Sequence, residues 1–175
     1  IQQPLRPLVR RPYPPAPPPP VRQRASVLLT RHFVRIVAHA ICNSSREDPG
    51  SAEFFLPVEV GEENLGRHVQ AALDASRYVA PGDPDFAATF RGWVKGDDQR
   101  YNEHLLDAAG VRTPKALWGG ARLVDITRQD GSVTIHPMAN QGRGAFGPVE
   151  GAQDVVVPAD LSDEALGRAV REGLG

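Results

Sequence analysis

Between Ala25 and Ile41 the chain reads ASVLLTRHFVRIVAHAI, and in its second half Val34, Ile36 and Ala38 alternate with Arg35, Val37 and His39. A period of two predicts one or two strands with one buried face. The polar run NSSREDPGS ends this segment, and EFFLPVEV then predicts a short strand closed by Pro57. In EENLGRHVQAALDASRYV (62–79) the period changes, since Leu65, Val69 and Leu73 recur every fourth residue and share one helical face. APGDPD interrupts the chain, and FAATFRGWV (86–94) and DDQRYNEHLLDAAG (97–110) read as two further helices, the second opening on acidic residues and stopping at Gly110. RTPKALWGG reads as a turn of helix or a loop. ARLVDITR (121–128) and SVTIHP (132–137) flank Asp130-Gly131, a hairpin signal. MANQGRGAFGPVEG reads as a glycine-rich loop, AQDVVVPA as a strand and SDEALGRAVREGL as a closing helix. The order predicts an α+β (mixed α/β) fold, a single sheet of about five strands with helices packed on it.

Part of the pattern occurs twice. LPVEVGEENLGRHVQAAL (56–73) aligns without a gap on VPADLSDEALGRAVREGL (157–174), sharing Pro57/Pro158, Glu63/Glu164, Leu65/Leu166, Gly66/Gly167, Arg67/Arg168, Val69/Val170 and Leu73/Leu174. In each copy a proline ends a strand and acidic residues complement the positive end of a helix dipole. Ser162 is a good N-cap and Gly61 its weaker counterpart, while Val60 with Leu65, and Leu161 with Leu166, form hydrophobic staples. Glycine inside a helix costs about 1 kcal/mol, so Gly66 and Gly167 imply close approach to a strand or to the other helix. Two similar strand-helix units on one sheet account for the repeat, with Arg67 and Arg168 as solvated surface residues rather than a paired anion site. Two copies are too few for a solenoid.

Composition divides the chain. Residues 1–24 hold nine Pro and five Arg and no acidic residue, which predicts a disordered, partly extended polyproline arm ahead of a domain at 25–175. The first residue is Ile rather than Met, which leaves open whether this arm belongs to the native protein. Residues 1–46 carry eight Arg and no acid, so the remaining 12 basic and 21 acidic residues give the rest of the chain a charge of -9. A near-neutral total thus hides a basic arm on an acidic body, which disfavours nucleic acid and suits a basic partner. Cys42 is the only cysteine. It reads as a small buried hydrophobe in a chain without internal disulfides, as expected for a reducing cytoplasm. No apolar run reaches the ~20 residues of a membrane span, and the amino terminus lacks signal-peptide order.

Motifs for chemistry are sparse. GRGAFG (142–147) matches three spaced glycines of a dinucleotide fingerprint, yet Pro148 follows where a helix should open. His32, His39, His68, His104 and His136 show no metal-ligand spacing, so neither a metal nor a cofactor is expected. His104 and Asp107 share a helical face and could orient a base, but no nucleophile motif accompanies them. Trp93, Tyr101 and Trp118 read as core aromatics.

Three stretches, FLPVEVGEENLGRHVQAALDASRYV, YNEHLLDAAGVRTPKALWGGARLVDITRQDGSVTIHP and DVVVPADLSDEALGRAVREGL, occur in an order that resembles the immunity proteins of bacterial contact-dependent growth inhibition (CDI) systems. The resemblance covers roughly Ala25 to Leu174; the arm and NSSREDPGS depart from it. It implies a non-enzymatic, cytoplasmic protein that binds and neutralises a cognate toxin domain, commonly a nuclease with a basic substrate face. The acidic body fits such a partner. Asp97, Asp98, Glu103 and Glu150 are the candidate toxin contacts, being acidic and at helix starts or in loops. Other readings are a small enzyme using His104 and Asp107 and an adaptor docking PYPPAPPPP on an aromatic groove. Oligomeric state stays open.

Overall fold

The computed structural model describes residues 21–92, 94–142 and 144–175. Strands β1 (Arg22–Leu29) and β2 (Val34–Ile41) form an antiparallel hairpin. β3 (Ser45–Glu47) and β4 (Glu53–Leu56) both pair with β2, β4 along its first half and β3 along its second, and helix α1 (Glu62–Ala75) follows. An unrepeated middle comprises β5 (Arg77–Tyr78), α2 (Phe86–Phe90), α3 (Asp97–Ala109) and α4 (Pro114–Trp118). The first arrangement then recurs. β6 (Arg122–Gln129) and β7 (Ser132–Gly142) form a hairpin across Asp130-Gly131, β9 (Val155–Pro158) and β8 (Ala145–Pro148) pair with the first and second halves of β7, and α5 (Asp163–Leu174) closes the chain.

The halves join where β1 pairs antiparallel with β6, from Arg22 opposite Gln129 to Leu29 opposite Arg122. Each half is therefore a β-β-β-β-α unit, the two related by a pseudo-two-fold axis between β1 and β6. Register repeats as well: Val34 lies opposite Leu56 in one half, and Val133 opposite Val157 in the other.

One sheet face carries Ala25, Val27, Val34, Ile36, Val124, Ile126, Val133 and Ile135, which pack beneath Leu65, Val69, Leu73, Leu166, Val170 and Leu174 of α1 and α5. The helices meet through the glycines the repeat singled out. A Cβ on Gly66 would stand 1.8 Å from the Asp163 carbonyl oxygen, and one on Gly167 1.9 Å from that of Glu62. Each helix thus lays its glycine on the first turn of the other. Ser162 Oγ accepts from the Ala165 amide at 3.2 Å, whereas Gly61 offers no side-chain cap. Arg168 is exposed and paired with Glu62 and Glu164. A second apolar cluster, built on Leu28, Phe33, Leu105, Leu117, Trp118 and Ala121, fixes α3 and α4 against the end of the sheet.

The expected α+β architecture and two strand-helix units are present, but the sheet has nine strands among the described residues rather than about five. The additional ones are short edge strands whose pairing rests on backbone hydrogen bonds more than on an apolar pattern. β3 lies inside NSSREDPGS, and the glycine-rich segment is mostly the β7–β8 hairpin. α1 stops at Ala75, and Arg77–Tyr78 turns into a strand parallel to the end of β2. Residues 1–20 of the expected arm lie outside the described residues, but Arg22–Arg24 belong to β1, because their backbone pairs with Thr127–Gln129. Trp93, one of the three expected core aromatics, lies outside the described residues, while Trp118 is buried. Cys42 is half-buried rather than fully buried. No helix among the described residues is long and apolar enough to cross a membrane.

Candidate functional site

Alternation along β2 sends Val34 and Ile36 toward α1 and α5, and therefore Arg35 and Val37 to the opposite face. There the sheet, α2 and α3 enclose a cleft of about 760 Å³. β2 and its neighbours supply Arg35, Arg46, Glu47 and Glu53, α3 supplies Asp97, Arg100, Tyr101 and His104, and Arg91 comes from the loop between α2 and α3.

Arg35 is 5% exposed, and a guanidinium so deep must be matched by carboxylates. Glu47 takes it in a fork, with Nη1–Oε1 and Nη2–Oε2 both 2.8 Å, and Glu53 Oε1 accepts from Nε at 2.6 Å. The ring of Tyr101 lies 5.5 Å from the guanidinium carbon, and Nη1 donates to its hydroxyl at 3.3 Å. Burial alone would lower the Arg35 guanidinium, but Glu47 and then Glu53 outweigh it and hold it above its ordinary value. Partial burial would raise the Glu53 carboxyl; Arg35, and after it His104, hold it below the usual range instead. His104 Nε2 lies 3.1 and 3.2 Å from the Glu53 oxygens. Burial, reinforced by Glu47, pushes the Tyr101 phenol up to about 12, so it stays neutral.

At the other end Asp97 is held by Arg91 through a fork of 2.8 and 3.1 Å, by Arg100, and by the Val94 amide at 2.8 Å. The Arg91 pairing, then the Val94 amide, keep its carboxyl well below the usual carboxylate range. Arg46 donates to the Arg91 carbonyl. Further along, buried Asp48 accepts from Arg77 Nε at 2.6 Å. The cleft wall therefore carries four carboxylates and four guanidinium groups and is balanced overall, unlike the acidic body around it.

The family model for CdiI, the CDI immunity protein, matches residues 23–175. The chain belongs to this family. The immunity protein CdiI-YPIII of Yersinia pseudotuberculosis serotype O:3 (strain YPIII) is 24% identical over 165 residues, 86% of this chain and 92% of that protein. Among solved structures, a protein of unknown function from Neisseria meningitidis superposes with a TM-score of 0.79 at 24% identity, over 88% of this chain and 94% of that one. A chain of the CdiA-CT/CdiI toxin and immunity complex from Yersinia pseudotuberculosis gives 0.72 at 23% identity, over 88% and 96%. At these identities the structural matches establish a shared fold.

On this CdiI fold the four acidic residues singled out from sequence do not gather. Asp97 lines the cleft but is committed to two arginines and an amide. Asp98 is exposed on α3, as is Glu103, whose Oε1 accepts from Gln99 Nε2 at 2.7 Å, and Glu150 is exposed in the turn after β8. His104 takes Glu53, not Asp107, as its hydrogen-bond partner, and no serine, threonine or cysteine bonds its ring among the described residues. The glycine-rich GRGAFG opens no helix; Gly142 and Gly144, with φ of 103° and 80°, form the turn from β7 to β8. Gly144 sits tightly against Trp118, where a Cβ would approach Cζ2 to 2.6 Å. Sequence reasoning passed over Arg35, Arg46, Glu47 and Glu53. The available signal was Arg35 itself, a lone arginine within the apolar run VRIVAHAI, since an arginine on a buried strand requires acidic partners brought from elsewhere.

Proposed function

We propose that this protein binds the toxin domain of its cognate CDI system and neutralises it in the cytoplasm, the toxin being a nuclease whose substrate face is basic. The observation that carries this reading is the match of the CDI immunity protein family over residues 23–175. The shared fold with a chain of a CdiA-CT/CdiI complex supports it over nearly the whole chain, and the excess of 21 acidic over 17 basic residues across 21–175 suits a basic partner. Neutralisation needs occlusion rather than chemistry, and the cleft is consistent with that: its carboxylates are already engaged by arginines or an imidazole. The toxin contacts are assigned to the face bearing the cleft and α3, with Asp98 and Glu103 at its rim and Glu150 as a more distant contact. An inhibitor of this kind covers on the order of 1,600 Å² and binds at about nanomolar affinity.

The test is co-purification with the toxin domain encoded beside it, followed by calorimetry and a toxicity assay in cells. A stoichiometric complex and restored growth are expected. Absence of a complex at micromolar concentrations refutes the reading.

A further inference from the structure

We propose that the Arg46, Arg91 and Arg100 end of the cleft is an anion subsite that receives a carboxylate side chain of the toxin and fixes which toxin is accepted. The proposal rests on the toxin-binding reading above. Its basis is an imbalance inside a balanced cleft. Around Arg35 one guanidinium serves two carboxylates, Glu47 and Glu53. Around Asp97 the ratio reverses, with Arg91 and Arg100 both on one carboxylate and Arg46 spending a donor only on the Arg91 carbonyl. Asp97 is saturated, since it also accepts the Val94 amide. A guanidinium has five N–H donors, so these three arginines keep unspent donors at the cleft, although Arg91 gives one more to the Gly92 carbonyl. The Arg91 and Arg100 side chains are 51% and 64% exposed there.

Forked N–H pairs match a carboxylate in geometry as well as charge. A concave positive pole on a domain whose residues 21–175 hold 17 basic and 21 acidic side chains is not a consequence of bulk composition. The same body repels a long polyanion, which would also have to pass the Glu47 and Glu53 pole. A basic protein presenting one acidic side chain meets neither obstacle. The cleft thus offers guanidinium groups in excess at its Asp97 end only, and a toxin presenting a cation there meets like charge.

The experiment compares wild type, Arg46→Gln with Arg100→Gln, and Arg100→Gln alone for binding to the cognate toxin domain. Arg91 stays in place so that Asp97 keeps its fork, and thermal midpoints are recorded in parallel. Binding weaker by on the order of a hundredfold in the double variant, at an unchanged midpoint, is expected; the exposed single variant is the readout if the double variant does not fold. Arg100→Lys should recover part of the affinity. Arg100→Glu is then paired with a panel of toxin variants, each with one Asp or Glu changed to Arg, and one of them should restore binding. Wild-type affinity in both Gln variants, or no restoring toxin variant, overturns the subsite and leaves the immunity reading standing. Failure of wild type to bind the toxin removes both. Filter retention of a labelled RNA is measured in parallel; RNA retained by wild type and lost in the Gln variants, with toxin binding unchanged, assigns the arginines to nucleic acid and overturns the proposal.

Discussion

His39 is 8% exposed on the sheet face away from α1 and α5, with Nε2 3.1 Å from Ser26 Oγ and Nδ1 without a hydrogen-bond partner among the described residues. Burial disfavours the imidazolium and lowers its pKa; Asp125 and Glu47 oppose this, and Arg24 and Arg35 reinforce it. In the unfolded chain the same imidazole titrates near its ordinary value of about 6.5. As pH falls below that value the unfolded state takes up a proton that the folded state refuses, so stability declines until the lower folded pKa is reached. The thermal midpoint is therefore expected to fall between pH 7.5 and 5.5, and His39→Gln should flatten that part of the profile. An identical slope in the variant would show that another group is responsible. That β2 is a strand was legible in the alternation of Val34, Ile36 and Ala38, whereas the partners of Arg35 and His39 were not. They come from β1, β3, β4 and α3, and strand propensity carries no information about which polar residue faces which.

Between elements, the α1–α5 contact offers a test in which two rules give opposite signs. Replacing glycine by alanine within a helix normally gains about 1 kcal/mol. At Gly66 and Gly167 the added Cβ would fall within 2 Å of a backbone carbonyl oxygen of the facing helix. Backbone cannot rotate aside as a flexible side chain does, so the helices would have to separate above Leu65, Val69, Leu166 and Val170, all 0–1% exposed. Overpacking of this kind costs about 1–3 kcal/mol, and here the upper end outweighs the propensity gain. Gly66→Ala and Gly167→Ala are each expected to lower stability by about 2 kcal/mol, read from the urea midpoint. Stabilisation by either would show that the helices adjust freely. The repeat revealed that these glycines serve a close approach; that the two approach each other reciprocally required the two-fold arrangement of the halves.

For the whole molecule, charge is distributed unevenly. Residues 21–175 hold 17 basic and 21 acidic side chains, while the cleft is balanced, with its arginines in excess at the Asp97 end. On the proposed reading, long-range attraction comes from the acidic exterior and short-range selection from the cleft. The association rate with the toxin is expected to fall about tenfold or more between 50 and 500 mM salt, with a smaller change in dissociation, because salt screens the exterior field more than desolvated pairs. Stopped-flow measurements with the purified toxin domain check this, and a salt-independent association rate would remove the steering role of the acidic exterior.

By itself the sequence determined the elements with strong periodicity, the hairpin at Asp130-Gly131 and the Ser162 cap of α5, because all of these depend on contacts between residues near in sequence, and it carried the family resemblance. The sheet of nine strands and the cleft were decided only by tertiary structure. β3 and β8 have too few apolar residues to announce themselves and exist because β2 and β7 present edges to pair with. Arg35, Glu47, Glu53, Tyr101 and His104 lie far apart in the chain. They become one network only when α3 closes over the face of β2, since the free energy of a buried charge depends on what the fold sets beside it.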